Sequence, residues 1–314
     1  MSAIVWQVLH LVLIAAVSPL VIGLQRFVRA RLLGRVGPPP WQPYRDLARL
    51  AAKQPVVAEG ATGLFTLLPA IGLLTVWLAA SLIPLVTVDF ALAGAADLIA
   101  LVGLLALSRV ATALVGLDIG TAFGGLGASR DMMIGALAEP ALLVAIFTLA
   151  LVAGTTDLVG IVIGVRSGVI GVEVSLALVL VSLVLVALAE NGRIPVDNPT
   201  THLELTMVHE AMVLEQSGRH LALTEATRAI KLTLSLSLIG ALFAPWGIDL
   251  DGSVTGVLVG LGAWIAKLAT AVAALALVET IVAKMRVFRV AEFLGAALLL
   301  ALLATVFRLV AESF

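Results

Sequence analysis

The sequence predicts an all-α integral membrane protein of about eight transmembrane helices, both termini on the outer side, packed as one bundle over residues 1–314. Three observations carry that expectation. Hydrophobic residues make up 61% of the chain and charged ones 12%, with a mean hydropathy of +1.15, which is membrane-protein composition. Apolar runs of about 20 residues, the length that crosses a bilayer, recur along the chain. The basic residues gather in alternate connecting segments, as the positive-inside rule requires.

The apolar runs are 3–25, 61–85, 97–116, 135–153, 171–189, 226–246, 255–279 and 290–310. The connecting segments 26–60, 117–134, 190–225 and 280–289, the third counted on to Lys231, hold seven, one, four and three of the 19 Lys and Arg. The segments between them hold only Arg166, and Arg109, Lys267 and Arg308 fall inside runs. An even number of crossings with both ends outside follows. No internal repeat and no low-complexity tract is visible. The net charge of -1 says little, because the distribution of charge matters more than its sum. With no cysteine, the chain cannot ligate an iron-sulfur cluster, form a disulfide or present a thiolate nucleophile.

In chain order, the run from Ala3 to Leu24 has no basic residue before it and is long enough to span, so it reads as a retained helix and not a cleaved signal. The segment RLLGRVGPPPWQPYRDLARLAAKQP, Arg31 to Pro55, breaks at its glycines and prolines and then becomes amphipathic from Tyr44 to Lys53. A basic interfacial helix that meets lipid headgroups and a docking surface for a peripheral protein both fit it. The glycine-rich FGGLG in segment 117–134 lacks the GK[ST] ending and the preceding strand of a phosphate loop. Glu139 falls inside the fourth run, where a carboxylate costs roughly 2.5 to 3.5 kcal/mol on insertion scales and marks an ion path; capping a helix near the interface is the alternative. Lys267 falls mid-span and needs a partner that the sequence does not identify. Arg109 and Glu279 lie nearer span ends, where snorkelling to the interface accounts for both.

The longest run in which acids, histidines and a helix-breaking loop coincide is ENGRIPVDNPTTHLELTMVHEAMVLEQSG, Glu190 to Gly218. Gly192, Pro195 and Pro199 forbid a helix across its first part. Asn198 before Pro199 reads as an N-cap, Thr201 with Glu204 as a capping box, and Gly218 as the C-terminal stop of the new helix. That helix is apolar on every side and therefore buried. Its carboxylates must be paired, hydrated or protonated, because an isolated buried charge is expensive. The combination points to proton handling. His202 and His209 would rise about 10 Å apart along the axis, too far to share one zinc, and no HExxH spacing is present.

The stretches GRVGPPPWQPYRDL, GTAFGGLGASRDM, AEPAL, ENGRIPVDNPTTHLELTMVHEAM and KMRVFRVAEFLG resemble the family of formate hydrogenlyase subunit 4 and hydrogenase-4 component C, which is similar to the quinone-site membrane subunit of NADH:quinone oxidoreductase, respiratory complex I. The resemblance covers nearly the whole chain. It implies a non-catalytic membrane-arm subunit of an oxidoreductase complex in a prokaryotic cytoplasmic membrane. The expected partners are peripheral [NiFe] hydrogenase large and small subunits, an iron-sulfur subunit with [4Fe-4S] clusters, and an antiporter-like membrane subunit; no cofactor or metal belongs to this chain. In the complex I relatives the acid-rich loop and helices line the lower quinone cavity and begin a proton path. By resemblance that role falls on Glu190, Asp197, Glu204, Glu210 and Glu215, with Glu139 opposite and Lys267 added from its place in a span. Arg31, Arg35, Tyr44, Arg45, Asp46 and Arg193 would face the peripheral arm. Val196 stands where complex I subunits usually have phenylalanine, and NPTTHLE follows in place of the quinone-type sequence, which favours the hydrogenase branch over a quinone site. An autonomous ion transporter and a purely structural anchor are the other readings; the missing repeats count against the first.

Overall fold

The computed structural model describes residues 3–168, 171, 173–197, 207–283, 285 and 289–313. Its helices are α1 Ala3–Leu32, α2 Gln42–Ala52, α3 Gly63–Ser81, α4 Leu98–Asp118, α5 Ala122–Ala153, α6 Leu158–Arg166, α7 Val174–Glu190, α8 His209–Val213, α9 Gly218–Phe243, α10 Val254–Ile281 and α11 Val290–Ser313. Each of the eight apolar runs has its helix. Seven of those helices are long and apolar enough to cross a membrane, and α7, at 17 residues, is the shorter eighth. Among the described residues there is no strand, only two isolated bridges, Thr87 to Asp249 and Asp97 to Asp157.

Two three-helix groups make the bundle. Helices α5, α7 and α11 pack on one another, α1 packs on α9 and α10, and the α3–α4 pair joins the groups through α4 against α5 and α3 against α9. Small residues make the first group close: Ala138, Ala141 and Ala145 of α5 and Ala297, Ala301 and Ala304 of α11 are all fully buried. At three- and four-residue spacing these form facing seams, the arrangement by which membrane helices gain van der Waals contact where hydrophobic burial offers little. Thr148 and Thr305 hydroxyls pair across the same seam at 2.7 Å, and Ser182 Oγ donates to the Ala297 carbonyl at 2.8 Å.

Several local expectations are revised. Segment 117–134 is mostly helix: α5 starts at Ala122, and the Thr121 hydroxyl accepts from the Gly124 amide. The glycines there permit close approach instead of breaking the helix. A Cβ at Gly124 would lie 2.1 Å from the Gly116 carbonyl oxygen of α4, and one at Gly127 would lie 2.8 Å from the Val208 carbonyl oxygen beside α8. Gly218 begins α9 and does not end the preceding helix; its φ of +53° turns the chain into α9 against the backbone of Lys53 and Gln54. Asn198, Pro199, Thr201, His202 and Glu204 lie outside the described residues, and the described part of the expected helix is the single turn of α8. Because α9 starts at Gly218, Arg228 and Lys231, which the count of basic residues groups with the connecting segment, sit within it. The short helix α6 has no counterpart in the expected elements; the Asp157 carboxylate starts it by accepting from Val159 and Gly160. The expected break after Glu190 holds for residues 191–197, and the amphipathic stretch forms α2.

Candidate functional site

Helix α7 ends at Glu190, and Gly192, at φ +54°, turns the chain so that Arg193 and Asp197 point back into the bundle. The turn is held by Arg193 N to Leu188 O at 2.9 Å and Asp197 N to Arg193 O at 3.1 Å. Glu190 is thereby set between two cations from other helices. Its Oε1 lies 2.5 Å from Arg109 Nη2 of α4 and its Oε2 lies 2.8 Å from Lys231 Nζ of α9.

Arg109 is 4% exposed and gathers two more acids from α5, Asp131 at 3.6 Å and Glu139 at 3.7 Å. Three carboxylates thus face two cations, an excess of one negative charge when all are ionised. A buried excess carboxylate is the natural seat for a proton, because protonation removes the uncompensated charge. The position depends on Gly135: a Cβ there would lie 2.5 Å from Arg109 Nη1. A polar cavity of about 70 Å³ continues from Arg109, Asp131, Glu190 and Lys231 to Asp197, His209 and Arg228. That exceeds the roughly 10–15 Å³ one water requires.

On the far side of that cavity α8 presents His209, and Glu210 follows it in the same turn. The His209 amide reaches Asp197 Oδ2 at 3.4 Å, and Arg130 of α5 anchors the approach to α8 by donating to the Met207 carbonyl at 2.9 Å. Arg228 of α9 pairs with Glu210 at 3.4 Å and with Glu225 at 3.8 Å. Burial, reinforced by Arg228, Lys231 and Arg193, pushes the His209 imidazole down to about 3, so it is neutral at ordinary pH. Burial pushes the Glu210 carboxyl the other way, above the usual carboxylate range, although Arg228 opposes it.

A third group completes the set. Glu279 of α10 is 4% exposed and accepts from Gln25, with Arg29 at 3.5 Å and Arg193 at 3.6 Å. Burial brings Arg193 down to about 10. A second cavity of about 540 Å³ is lined by Gln25, Arg26, Arg29, Arg35, Arg193, Glu210 and Arg228, with Ile22, Ala30, Leu33 and Pro38.

The structure therefore brings together Glu139, Glu190, Asp197 and Glu210 of the expected relay. Glu215 is exposed beyond α8, Glu204 lies outside the described residues, and Lys267 sits apart near Trp246. Arg109 and Glu279 do not snorkel: both are buried in ion pairs, because partners on neighbouring helices compensate them where they stand. Asp131, Lys231, Arg228, Arg29 and Gln25 do not stand out in the sequence. A usable signal existed for Asp131, an acid four residues before the start of the expected fourth span, yet nothing local pairs it with Arg109.

Of the expected docking residues, Arg31 at the end of α1, Arg35 in the segment after it, and Tyr44 and Arg45 of α2 are exposed, and Asp46 of α2 is partly so. The Tyr44 hydroxyl donates to the Ala16 carbonyl of α1, and Arg49 pairs with Asp46 at 2.7 Å. Arg193 differs from them in being 5% exposed, its guanidinium turned inward to Glu279, although it shares a cavity with Arg35.

A family model described as NADH dehydrogenase matches residues 4–310. Formate hydrogenlyase subunit 4 of Escherichia coli (strain K12) is 32% identical over 284 residues, covering 90% of this chain and 92% of that protein. Hydrogenase-4 component C of the same organism is 35% identical over 244 residues, 78% of this chain and 76% of that protein. A solved chain of the membrane-bound sulfane sulfur reductase, an archaeal respiratory membrane complex, shares the fold with a TM-score of 0.80 at 20% identity, over 96% of this chain and 98% of that one. The multi-pass helical bundle and these matches make the chain a member of the NADH dehydrogenase family, in the group of formate hydrogenlyase subunit 4 and hydrogenase-4 component C.

Proposed function

We propose that this chain is the membrane-arm subunit of a complex-I-like, membrane-bound [NiFe] hydrogenase of the formate hydrogenlyase or hydrogenase-4 type. It anchors the peripheral redox module at a prokaryotic cytoplasmic membrane and couples electron transfer to proton translocation. Electron carriers, [4Fe-4S] clusters and a NiFe centre, belong to the peripheral subunits, and an antiporter-like membrane subunit takes up the protons.

The observation that carries this reading is a chain of charges centred on the buried Arg109: Asp131 and the half-buried Glu139 on Arg109, Arg109 and Lys231 on Glu190, then across the polar cavity to Asp197, His209 and Arg228 with the half-buried Glu210. Buried ion pairs add little stability compared with apolar packing, and a cluster of this size inside a membrane bundle calls for a functional account. An electron arriving about 10 Å away changes the energy of a buried carboxylate by about 1.7 kcal/mol at an effective dielectric near 20, roughly one pKa unit. That biases which acid holds the excess proton, and a conformational gate then gives the transfer direction. Glu190 would act as the exchangeable acid, Arg109 and Lys231 would set its proton affinity, and Asp197 and Glu210 would pass protons to and from the cavity.

The quinone reading fares worse on this geometry. The cavity that adjoins Glu210 and Arg228 is lined by five arginines, whereas pockets for small neutral ligands are mainly apolar. The test is the Glu190→Gln variant in the intact complex in sealed vesicles. Hydrogen-dependent dye reduction that persists while hydrogen-linked proton movement is lost supports the relay; undiminished proton movement rejects it.

A further inference from the structure

One intramembrane charge lies outside the acid network. Lys267 of α10 forms no salt bridge among the described residues; its ammonium lies 5.9 Å from the centroid of the Trp246 ring. Trp246 is 66% exposed, in the turn after α9. Beside it, Arg166 at the end of α6 donates to the Pro245 carbonyl at 3.3 Å and likewise has no carboxylate partner among the described residues. Two cations and an exposed tryptophan thus form one corner. Tryptophan favours the membrane–water interface, and a lysine rooted in a span reaches toward that level.

From this corner an apolar groove of about 530 Å³ runs between α7, α9 and α10. Leu180 and Val184 of α7, Leu232 and Ile239 of α9, and Ala274 and Val278 of α10 make its walls. Along α9 it extends from Leu232 to Phe243, a rise of about 16 Å, roughly half of a 30 Å hydrocarbon core. At its other end Asn191 and Arg193 border it, where Arg193 is already neutralised by Glu279. The charge asymmetry is therefore specific: the compensated end is beside Glu279, and the uncompensated end is beside Trp246.

We propose that this groove is a binding site for an anionic phospholipid, with the phosphate between Lys267 and Arg166, the glycerol region against Trp246, and one acyl chain along α7, α9 and α10. The length of the groove matches a single leaflet, its walls match an alkyl chain, and Lys267 at its open end, with Arg166 on the adjoining Pro245, supplies positive charge that a membrane setting requires to be compensated. A neutral isoprenoid would leave those charges unmet, and a helix from a neighbouring protein would have to bring its own acid.

The test uses the complete complex purified in mild detergent, stripped of loosely held lipid, and incubated with dioleoyl phosphatidylglycerol or dioleoyl phosphatidylcholine before native mass spectrometry. The wild type should retain one more phosphatidylglycerol than phosphatidylcholine per complex. Lys267→Gln should lose that lipid, Arg166→Gln should weaken its retention several-fold, and Lys267→Arg should keep it. Ala274→Phe, which fills the groove and leaves both cations in place, should also expel it, so the site can be tested even if the lysine variant fails to assemble. Equal retention of both lipids, retention indifferent to Lys267 and Ala274, or a neutral isoprenoid or partner helix in the groove would overturn the assignment.

Discussion

Lys231 Nζ lies 2.8 Å from Glu190 Oε2, joining the middle of α9 to the last residue of α7. The other oxygen of the same carboxylate is held by Arg109 of α4, so one side chain ties three helices at the edge of the polar cavity. Removing either partner of a buried pair leaves the other uncompensated, a loss of about 3–5 kcal/mol.

Glu190→Gln is therefore expected to lower the thermal stability of the purified complex as well as its coupling. Glu139→Gln removes the longest of the three Arg109 contacts, at 3.7 Å, on a more exposed acid, and is expected to cost less stability. Paired melting curves and proton-translocation assays check both. A larger stability loss in Glu139→Gln would mean that Arg109 is held chiefly from α5.

Gly135→Ala tests the seat of Arg109 without altering a charge. The added methyl would lie 2.5 Å from Nη1, and such overpacking costs about 1–3 kcal/mol. Gly125→Ala in the same helix meets nothing within 4 Å and is expected to be neutral or stabilising by up to about 1 kcal/mol. The difference between the two melting temperatures is the measurement.

The pH dependence follows from His209 and Glu210 with opposite signs. Because the folded-state value of His209, about 3, lies below the unfolded 6.5, the unfolded chain binds more protons between them, and stability falls as pH drops below 6.5. For Glu210, raised by burial, protonation favours the folded state, and that contribution is lost as pH rises through its raised value. His209→Gln is expected to flatten the loss of thermal stability between pH 7 and pH 5. An unchanged profile would show that the imidazole is not buried in this way.

Glu279→Gln leaves Arg193 and Arg29 facing each other without their shared carboxylate. A stability loss of about 3–5 kcal/mol is expected, read as a fall in melting temperature. Arg193→Met in the same background should restore part of it, since the double change removes a buried cation along with its partner.

Arg45→Glu reverses a charge on the exposed face of α2. The peripheral subunits are expected to fall below half of their normal yield on co-purification, with this chain still in the membrane. Undiminished co-purification would place the docking contacts elsewhere.

The sequence by itself determined the fold class, the eight apolar helices, the break after Glu190 and the family. These rest on local quantities: a run long enough to cross hydrocarbon, prolines and a glycine that forbid helix, and motifs contiguous along the chain. It also picked out Glu139 as an acid inside an apolar run and, through the family resemblance, Glu190, Asp197, Glu204, Glu210 and Glu215, of which Glu215 is exposed and Glu204 lies outside the described residues. Only the tertiary structure decided which charges meet. Arg109 and Glu279 look like snorkelling residues from their place near span ends, and become buried centres because α5 and α7 bring Asp131 and Glu190 to the first, while α1 and the 191–197 turn bring Arg29 and Arg193 to the second. Lys267 looks like a member of the relay and stands at Trp246 instead. The glycines of 123–127 look like a loop and are helix, because the lack of a side chain lets α5 touch α4 and α8. Hydropathy and turn chemistry act over a few residues, whereas the energy of a buried charge depends on partners a few ångströms away in space, and helix packing alone sets those distances.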